Sequence, residues 1–412
     1  MDIGVPEKSG MSTERLRRID DVMRRYIDEG KIPGIQTLVY RRGQVVQWGC
    51  YGEVDLAEHR PTRPDTLYRI YSMTKPITCT AVMMLWEEGR LRPSDPVAAY
   101  IPAFKDLQVF AVPAENGSDR QPLTRPMLIH DLLTHTAGLA YGLDEATPVD
   151  TLYRRARLLR SDETLADKIQ RLAQFPLLYQ PGTNYSYSMA IDVLGYLVEV
   201  ISGQTLDVFF QKRIFEPLGM VDTAFNLPPA KLERVARCYL ADEQGRLIDL
   251  QSPPGSEGRA AIDKLNPGDE VQGPYIDKAQ PFTFLSAGGG LTSTLPDYLR
   301  FARMLLNGGE LDGVRILGRQ TAAHMALNQL PEGLQVAPGV GMGYGLGVVT
   351  DPARAMLLAS PGAFGWGGAA GTEFWVDRRE DLLAIIMLQI LPGAKYPVQL
   401  DFRTLVNQAV VD

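Results

Sequence analysis

The chain reads as an α+β protein: strands from its two ends build one antiparallel sheet flanked by helices, and an all-helical region is inserted between them. Three observations predict this. Strand-like patterning occurs before residue 71 and returns after residue 234, while helical spacing dominates from about 79 to 227. The composition, 45% hydrophobic and 22% charged, is that of a folded globular chain and excludes disorder, collagen and coiled coil. A length of 412 residues suits one large domain or two regions sharing a site. The expected division is residues 1–78 plus 228–412 as an α/β sandwich region and 79–227 as a helical region, with an active site in the cleft between them.

Leu16, Ile19, Val22, Met23, Tyr26 and Ile27 recur at steps of three and four, with Ser12 before them and Gly30 after, so the first element is an amphipathic helix. Gln36–Tyr40, a turn at Arg42-Gly43-Gln44, and Val45–Trp48 read as a hairpin. Thr66–Ile70 reads as a third strand running through Tyr71-Ser72 into a long helix that ends near Glu88-Gly89. Helical segments follow at Asp131–Leu133, Leu165–Leu172, Met189–Val200 and Leu206–Ile214. Val235–Leu240 and Leu247–Leu250 flank a glycine turn at Gly245, and residues 252–283, rich in Pro, Gly and Asp, predict a long surface loop. After Gly288-Gly289-Gly290 come a helix at Pro296–Leu306 and strands at Gly345–Val349, Glu373–Val376 and Leu382–Leu388. A last helix, Val398–Val410, is expected to place Leu400, Leu405, Val406 and Ala409 roughly on one face.

Several functional classes are disfavoured at this level. Lys and Arg total 42 against 49 Asp and Glu, a net charge of −7 with no basic run, which argues against nucleic acid and polybasic membrane contact. The longest apolar stretch, Leu382–Leu388, is far too short to span a bilayer. Met1–Lys8 shows no secretory pattern, and Cys50, Cys79 and Cys238 are widely spaced, so a cytoplasmic protein with reduced thiols is expected. The four histidines form no paired metal motif, and no metal or other cofactor is expected.

Three segments carry chemistry. No serine sits in Gly-x-Ser-x-Gly, which argues against an α/β-hydrolase nucleophile elbow. The chain has one Ser-x-x-Lys, Ser72-Met73-Thr74-Lys75, where a strand meets a helix. A helix N-terminus favours a developing anion. An offset of three puts the amine over the same face as the hydroxyl, and a buried amine with a lowered pKa could take the serine proton. Pro181–Ala190 is a turn followed by a helix, in which Tyr187, with Tyr185 as competitor, could share a proton with Lys75 and act as general base and then general acid. Phe364–Thr372 includes Trp366-Gly367-Gly368-Ala369, small residues that expose backbone N–H groups, so the amides of Ser72 and Ala369 could form an oxyanion hole. Each segment alone has a structural reading: serine as N-cap, tyrosine as a packing residue, Trp366 as core filler.

Taken together, Ser72-x-x-Lys75, Tyr187-Ser188 and Trp366-Gly367-Gly368 resemble the three motifs of the family VIII carboxylesterases, which are related to class C β-lactamases and D-alanyl-D-alanine carboxypeptidases. Leu132–Leu139, Pro217–Met220 and Gly288–Leu291 agree with that resemblance, which runs from about residue 15 to 390. It implies the β-lactamase/transpeptidase-like fold, a Ser72 acyl-enzyme, Lys75 and Tyr187 as proton-transfer partners, no metal, and a structural role for His135. The chain departs from its penicillin-binding relatives at two points. Trp366 replaces the lysine of Lys-Thr-Gly, and Tyr187-Ser188-Met189 lacks the amide of Tyr-x-Asn. Losing a cation and an amide donor weakens recognition of β-lactams and peptides, whereas Trp366 and Met189 suit acyl chains. The leading expectation is a carboxylesterase for small or medium uncharged esters with slow side activity on β-lactams. An acyltransferase, a β-lactamase or DD-peptidase, and a non-catalytic scaffold are the alternatives.

Overall fold

The computed structural model describes residues 2–110, 120–143, 146–160, 162–251, 256, 260 and 283–412. Its centre is an eight-stranded antiparallel sheet. Its strands are β1 (Gly34–Arg41), β2 (Gln44–Asp55), β3 (Arg60–Pro61), β4 (Val340–Met342), β5 (Gly347–Val349), β6 (Phe364–Gly367), β7 (Glu373–Asp377) and β8 (Leu382–Met387), in the order β4-β5-β6-β7-β8-β1-β2-β3. The two ends of the chain therefore meet at the middle of the sheet, where β1 pairs with β8 and Leu38 faces Ile385. The β1–β2 hairpin closes on two residues, Arg42 and Gly43, both at positive φ, which matches the right-handed twist of the flanking strands.

β8 shows why an unbroken apolar run was needed there. Leu383, Ile385 and Met387 point to one face, and Leu382, Ala384 and Ile386 to the other. Both faces are covered. On the outer face Leu16, Ile19, Met23 and Tyr26 of the helix Thr13–Asp28 pack with Val398, Phe402 and Val406 of the helix Val398–Asn407. Ser12 caps the first of these by accepting from the Arg15 N–H. Tyr26 Oη donates to Asp401 Oδ2 at 2.7 Å and ties the two helices together. On the inner face the helix Leu295–Leu306 and helices from between residues 129 and 218 share one large core with the sheet.

Within 79–227 lie the helices Ile129–Leu133, Pro148–Arg155, Leu165–Leu172, Ala190–Ser202 and Leu206–Phe210, the last continuing through a π-turn. This region also holds a short hairpin, Gln108–Phe110 with Arg120–Pro122, whose three-residue strands are too brief to leave a periodic signal. Leu67–Arg69 pairs with Thr292–Thr294, and Tyr239–Ala241 pairs with Leu247–Asp249 and Ile390–Leu391; neither group belongs to the main sheet. The expected loop 252–283 lies almost wholly outside the described residues. Among the described residues no single helix is long and apolar enough to cross a membrane.

The last helix corrects one expectation. Leu400 is 56% exposed, while Phe402 is fully buried against Trp375 at a ring separation of 5.4 Å. The buried positions Val398, Phe402, Val406 and Ala409 follow the step of three to four that starts at 398. Phe402→Ala is expected to cost about 3–5 kcal/mol in urea unfolding, and Leu400→Ala within about 0.5 kcal/mol of zero.

Candidate active site

Ser72 sits in a tight turn, Tyr71–Met73, between the strand Leu67–Arg69 and the helix Thr74–Glu87. Tyr71 adopts φ +43°, a sharp corner directly before Ser72, which lines a cavity. The helix is apolar around its circumference and buried from Thr74 to Leu85, as expected of an element at the centre of a domain. Its first turn is held by the strap 286–292. Thr78 Oγ1 donates to the Ala287 carbonyl at 2.7 Å, and the Leu291 N–H donates to Thr74 Oγ1 at 3.2 Å. Lys75 is wholly buried, and its Nζ donates to Ser72 Oγ at 3.1 Å and to the Gly288 carbonyl at 2.6 Å.

Tyr187 lies in an irregular segment three residues before the helix Ala190–Ser202. His135, itself at φ +57°, holds that segment: the Ser186 N–H donates to its carbonyl at 2.9 Å and the Ser188 N–H to its Nδ1 at 3.3 Å. Burial pushes the His135 imidazole well below its usual pKa, and the Lys75 charge adds to that, so the ring is neutral. Tyr187 Oη donates to Ser72 Oγ at 2.5 Å. Tyr141 stacks on the Tyr187 ring at 5.5 Å, and the Trp366 ring lies tilted against it at 5.8 Å. Tyr185 lines the same cavity, but Tyr187 is the tyrosine bonded to the serine.

The expected lowered pKa of Lys75 is not what this environment produces. Burial pushes the amine down, yet the phenol oxygens of Tyr141 and Tyr187 and the Asp192 carboxylate outweigh it and hold the pKa above its ordinary value. Lys75 is therefore an ammonium that donates hydrogen bonds. The sequence reveals that the amine is buried but not how many oxygens surround it.

The third segment is a strand followed by a turn. Trp366, on β6, pairs across from Phe374, and Gly368 begins the turn by donating its N–H to the Thr372 carbonyl at 2.7 Å. A Cβ at Gly368 would stand 2.5 Å from the Ile70 carbonyl, so the turn lies directly against the backbone leading to Ser72. Ser72, Trp366, Gly367, Gly368 and Ala369 all line one cavity of about 740 Å³, within the size range of small-molecule sites. Its wall is aromatic at Tyr71, Tyr141, Tyr185, Tyr187, Phe284 and Trp366, and aliphatic at Leu143, Leu159, Val336 and Leu391.

Met189, expected on the acyl wall, is not there. It is 1% exposed, donates its N–H to the Ala140 carbonyl and packs in the core, because the chain turns into the helix two residues after Tyr187. Conversely, Tyr141, Asp192, Ser286 and Gly288 reach the site without having been singled out for it. Asp192 carried a signal, the acid of the first turn in a helix whose first half, 190–195, is otherwise apolar and buried. Tyr141 carried none. Among the described residues no three His, Cys, Asp or Glu side chains converge on a point that could hold a metal ion.

A model of the Beta-lactamase family matches residues 19–408. Protein Rv1367c of Mycobacterium tuberculosis is 36% identical over 382 residues, covering 90% of this chain and 89% of its own length. Esterase EstB of Burkholderia gladioli is 33% identical over 380 residues, with the same coverage. Among solved structures, EstCE1, described as a hydrolase with promiscuous acyltransferase activity, superposes with a TM-score of 0.78 at 27% identity, covering 96% of this chain and 99% of its own.

A second buried amine stands behind the cavity wall. Lys168 Nζ lies 3.5 Å from the centre of the Phe284 ring, donates to the Arg160 carbonyl and is 3.7 Å from Glu163. Burial lowers its pKa to about 8, with Asp192 and Glu163 only partly offsetting the loss of solvation. Between pH about 8 and about 10.5 the unfolded chain holds a proton on this amine that the folded chain has released, so stability from this group rises with pH through that window. Lys168→Met is expected to exceed the wild type in urea stability at pH 7, by at most roughly 3 kcal/mol. That gap is expected to narrow as the pH is raised from 8 to 10, and a constant gap would contradict the assignment.

Proposed function

This chain belongs to the Beta-lactamase family, and from that premise we propose that it is a serine carboxylesterase acting on small or medium uncharged esters through a Ser72 acyl-enzyme. The observation that carries this reading is the cavity wall. Trp366 stands on it where penicillin-binding relatives place a lysine, and the described lining contains no Lys or Arg that could hold a substrate carboxylate. Aromatic and aliphatic walls favour an apolar acyl or alcohol group by removing its surface from water.

In the proposed mechanism Ser72 Oγ attacks the ester carbonyl. In the resting geometry Tyr187 Oη donates to Ser72 Oγ at 2.5 Å and Lys75 is an ammonium, so Tyr187 first releases its phenol proton to solvent. As the phenolate beside Lys75 it then accepts the Ser72 Oγ proton and later gives that proton to the departing alcohol. The Lys75 charge stays beside both oxygens throughout. The N–H groups of Ser72 and Ala369 are assigned to the oxyanion, and neither donates to another backbone carbonyl among the described contacts. Water gives a proton to Tyr187 as it attacks the acyl-enzyme, and Tyr187 passes that proton to Ser72 Oγ as the acid leaves. An alcohol held by the same apolar wall would give ester exchange instead, a reading favoured by the activity named for EstCE1.

Hydrolysis of p-nitrophenyl butyrate is expected to exceed nitrocefin turnover by orders of magnitude, with the acyl mass recovered on the Ser72 peptide. Ser72→Ala should lose at least about 10³-fold in kcat, and Tyr187→Phe about 10²–10⁴-fold with little change in KM. Full activity in Ser72→Ala, or rapid nitrocefin turnover beside weak ester cleavage, would overturn the reading. Adding methanol should partition product between acid and methyl ester if the exchange reaction operates.

A further inference from the structure

One buried acid on the cavity wall has no part in the steps above. Asp192 is 2% exposed, in the first turn of the helix Ala190–Ser202. Its Oδ1 accepts from Ser286 Oγ at 2.8 Å and from the Gly288 N–H at 3.1 Å. Gly288 is also the residue whose carbonyl accepts from Lys75 Nζ at 2.6 Å. A Cβ there would stand 3.1 Å from Asp192 Oδ2 and 3.4 Å from Lys75 Nζ, so the carboxylate, the strap and the ammonium meet around a position with little room for a side chain.

We propose that Asp192 is a positioning residue for the Ser72, Lys75 and Tyr187 group: it pins the strap so that the Gly288 carbonyl faces Lys75, and its negative charge offsets the buried ammonium. Two functions meet in one side chain. The hydrogen bonds to Ser286 and Gly288 set where the strap lies, and an anion close to a buried cation keeps that cation charged. Other ionisable groups face the same space. Lys75 and Cys79 come from the helix Thr74–Glu87, Lys168 from the helix Leu165–Leu172 with Glu163 and Arg171 behind it, and His135, Tyr141 and Tyr187 from the intervening loops. Of these, Lys75 and Lys168 are the cations whose charge Asp192 supports.

The inference rests on the esterase reading for the identity of the nucleophile, but the coupling between Asp192 and Lys75 can be measured without turnover. Asp192→Asn keeps an acceptor oxygen for Ser286 and Gly288 and removes the charge. It is expected to lower the urea midpoint in the wild-type background and to lower it by clearly less when combined with Lys75→Met, where only its support of Lys168 remains. Labelling of Ser72 by a fluorophosphonate, followed by mass across pH, is the second readout. The alkaline fall in labelling should begin at lower pH in Asp192→Asn, keep its wild-type position in Asp192→Glu, and keep it in Ser286→Ala, which loosens the strap without changing charge. Equal midpoint losses in both backgrounds, together with an unmoved alkaline limb in Asp192→Asn, would overturn the proposal. An unlabelled Ser72 in the wild type, with the stability coupling intact, would instead overturn the nucleophile assignment and leave the role of Asp192 standing.

Discussion

The site is organised around one buried positive charge. An ammonium with no access to water costs several kcal/mol unless its protons find acceptors and its charge finds a counter-charge. Lys75 meets both demands through Ser72 Oγ, the Gly288 carbonyl, two phenol oxygens and the Asp192 carboxylate. Those partners come from four separate stretches of chain: the serine turn, the segment around 141, the segment around 187–192 and the strap 286–288. Satisfying the lysine is thus the same physical act as assembling the proposed catalytic group.

The scaffold explains how these stretches are held at fixed separations. The sheet is covered on both faces, so its strands have little freedom to shift. Glycines make the remaining approaches possible. Gly368 brings the β6 turn against the Ile70 carbonyl, and Gly288 allows the strap to pass between a carboxylate and an ammonium. At either place a side chain would separate the groups that the chemistry needs in contact.

The cavity's apolar walls act on the electrostatics as well as on substrate choice. In a region with few polar groups, a charge beside the reacting oxygens is screened less than it would be in water, so a single ammonium exerts more influence on proton transfer. The aromatic rings contribute twice. Tyr141 and Tyr187 offer their faces to Lys75 at 5.5 and 4.6 Å, and together with Trp366 they form a surface on which an uncharged chain can lie.

Much of this was legible in one dimension because it depends on local pattern. The period of the first helix, the unbroken run that becomes β8, the antiparallel sheet drawn from both ends and the spacing that puts Lys75 over Ser72 are all consequences of which residues are neighbours in sequence. What the sequence could not determine depends on distance in space. Met189 follows a site tyrosine by two positions yet turns into the core, and Leu400 sits in an amphipathic helix yet faces solvent. Lys75 has a raised rather than lowered pKa because oxygens from residues 66, 112 and 117 positions further along surround it, and Tyr141 gives no local sign that it is one of them. Periodicity records which side of an element is buried; the charge state of a buried group is set by whatever the fold brings against it, and only the tertiary arrangement contains that information.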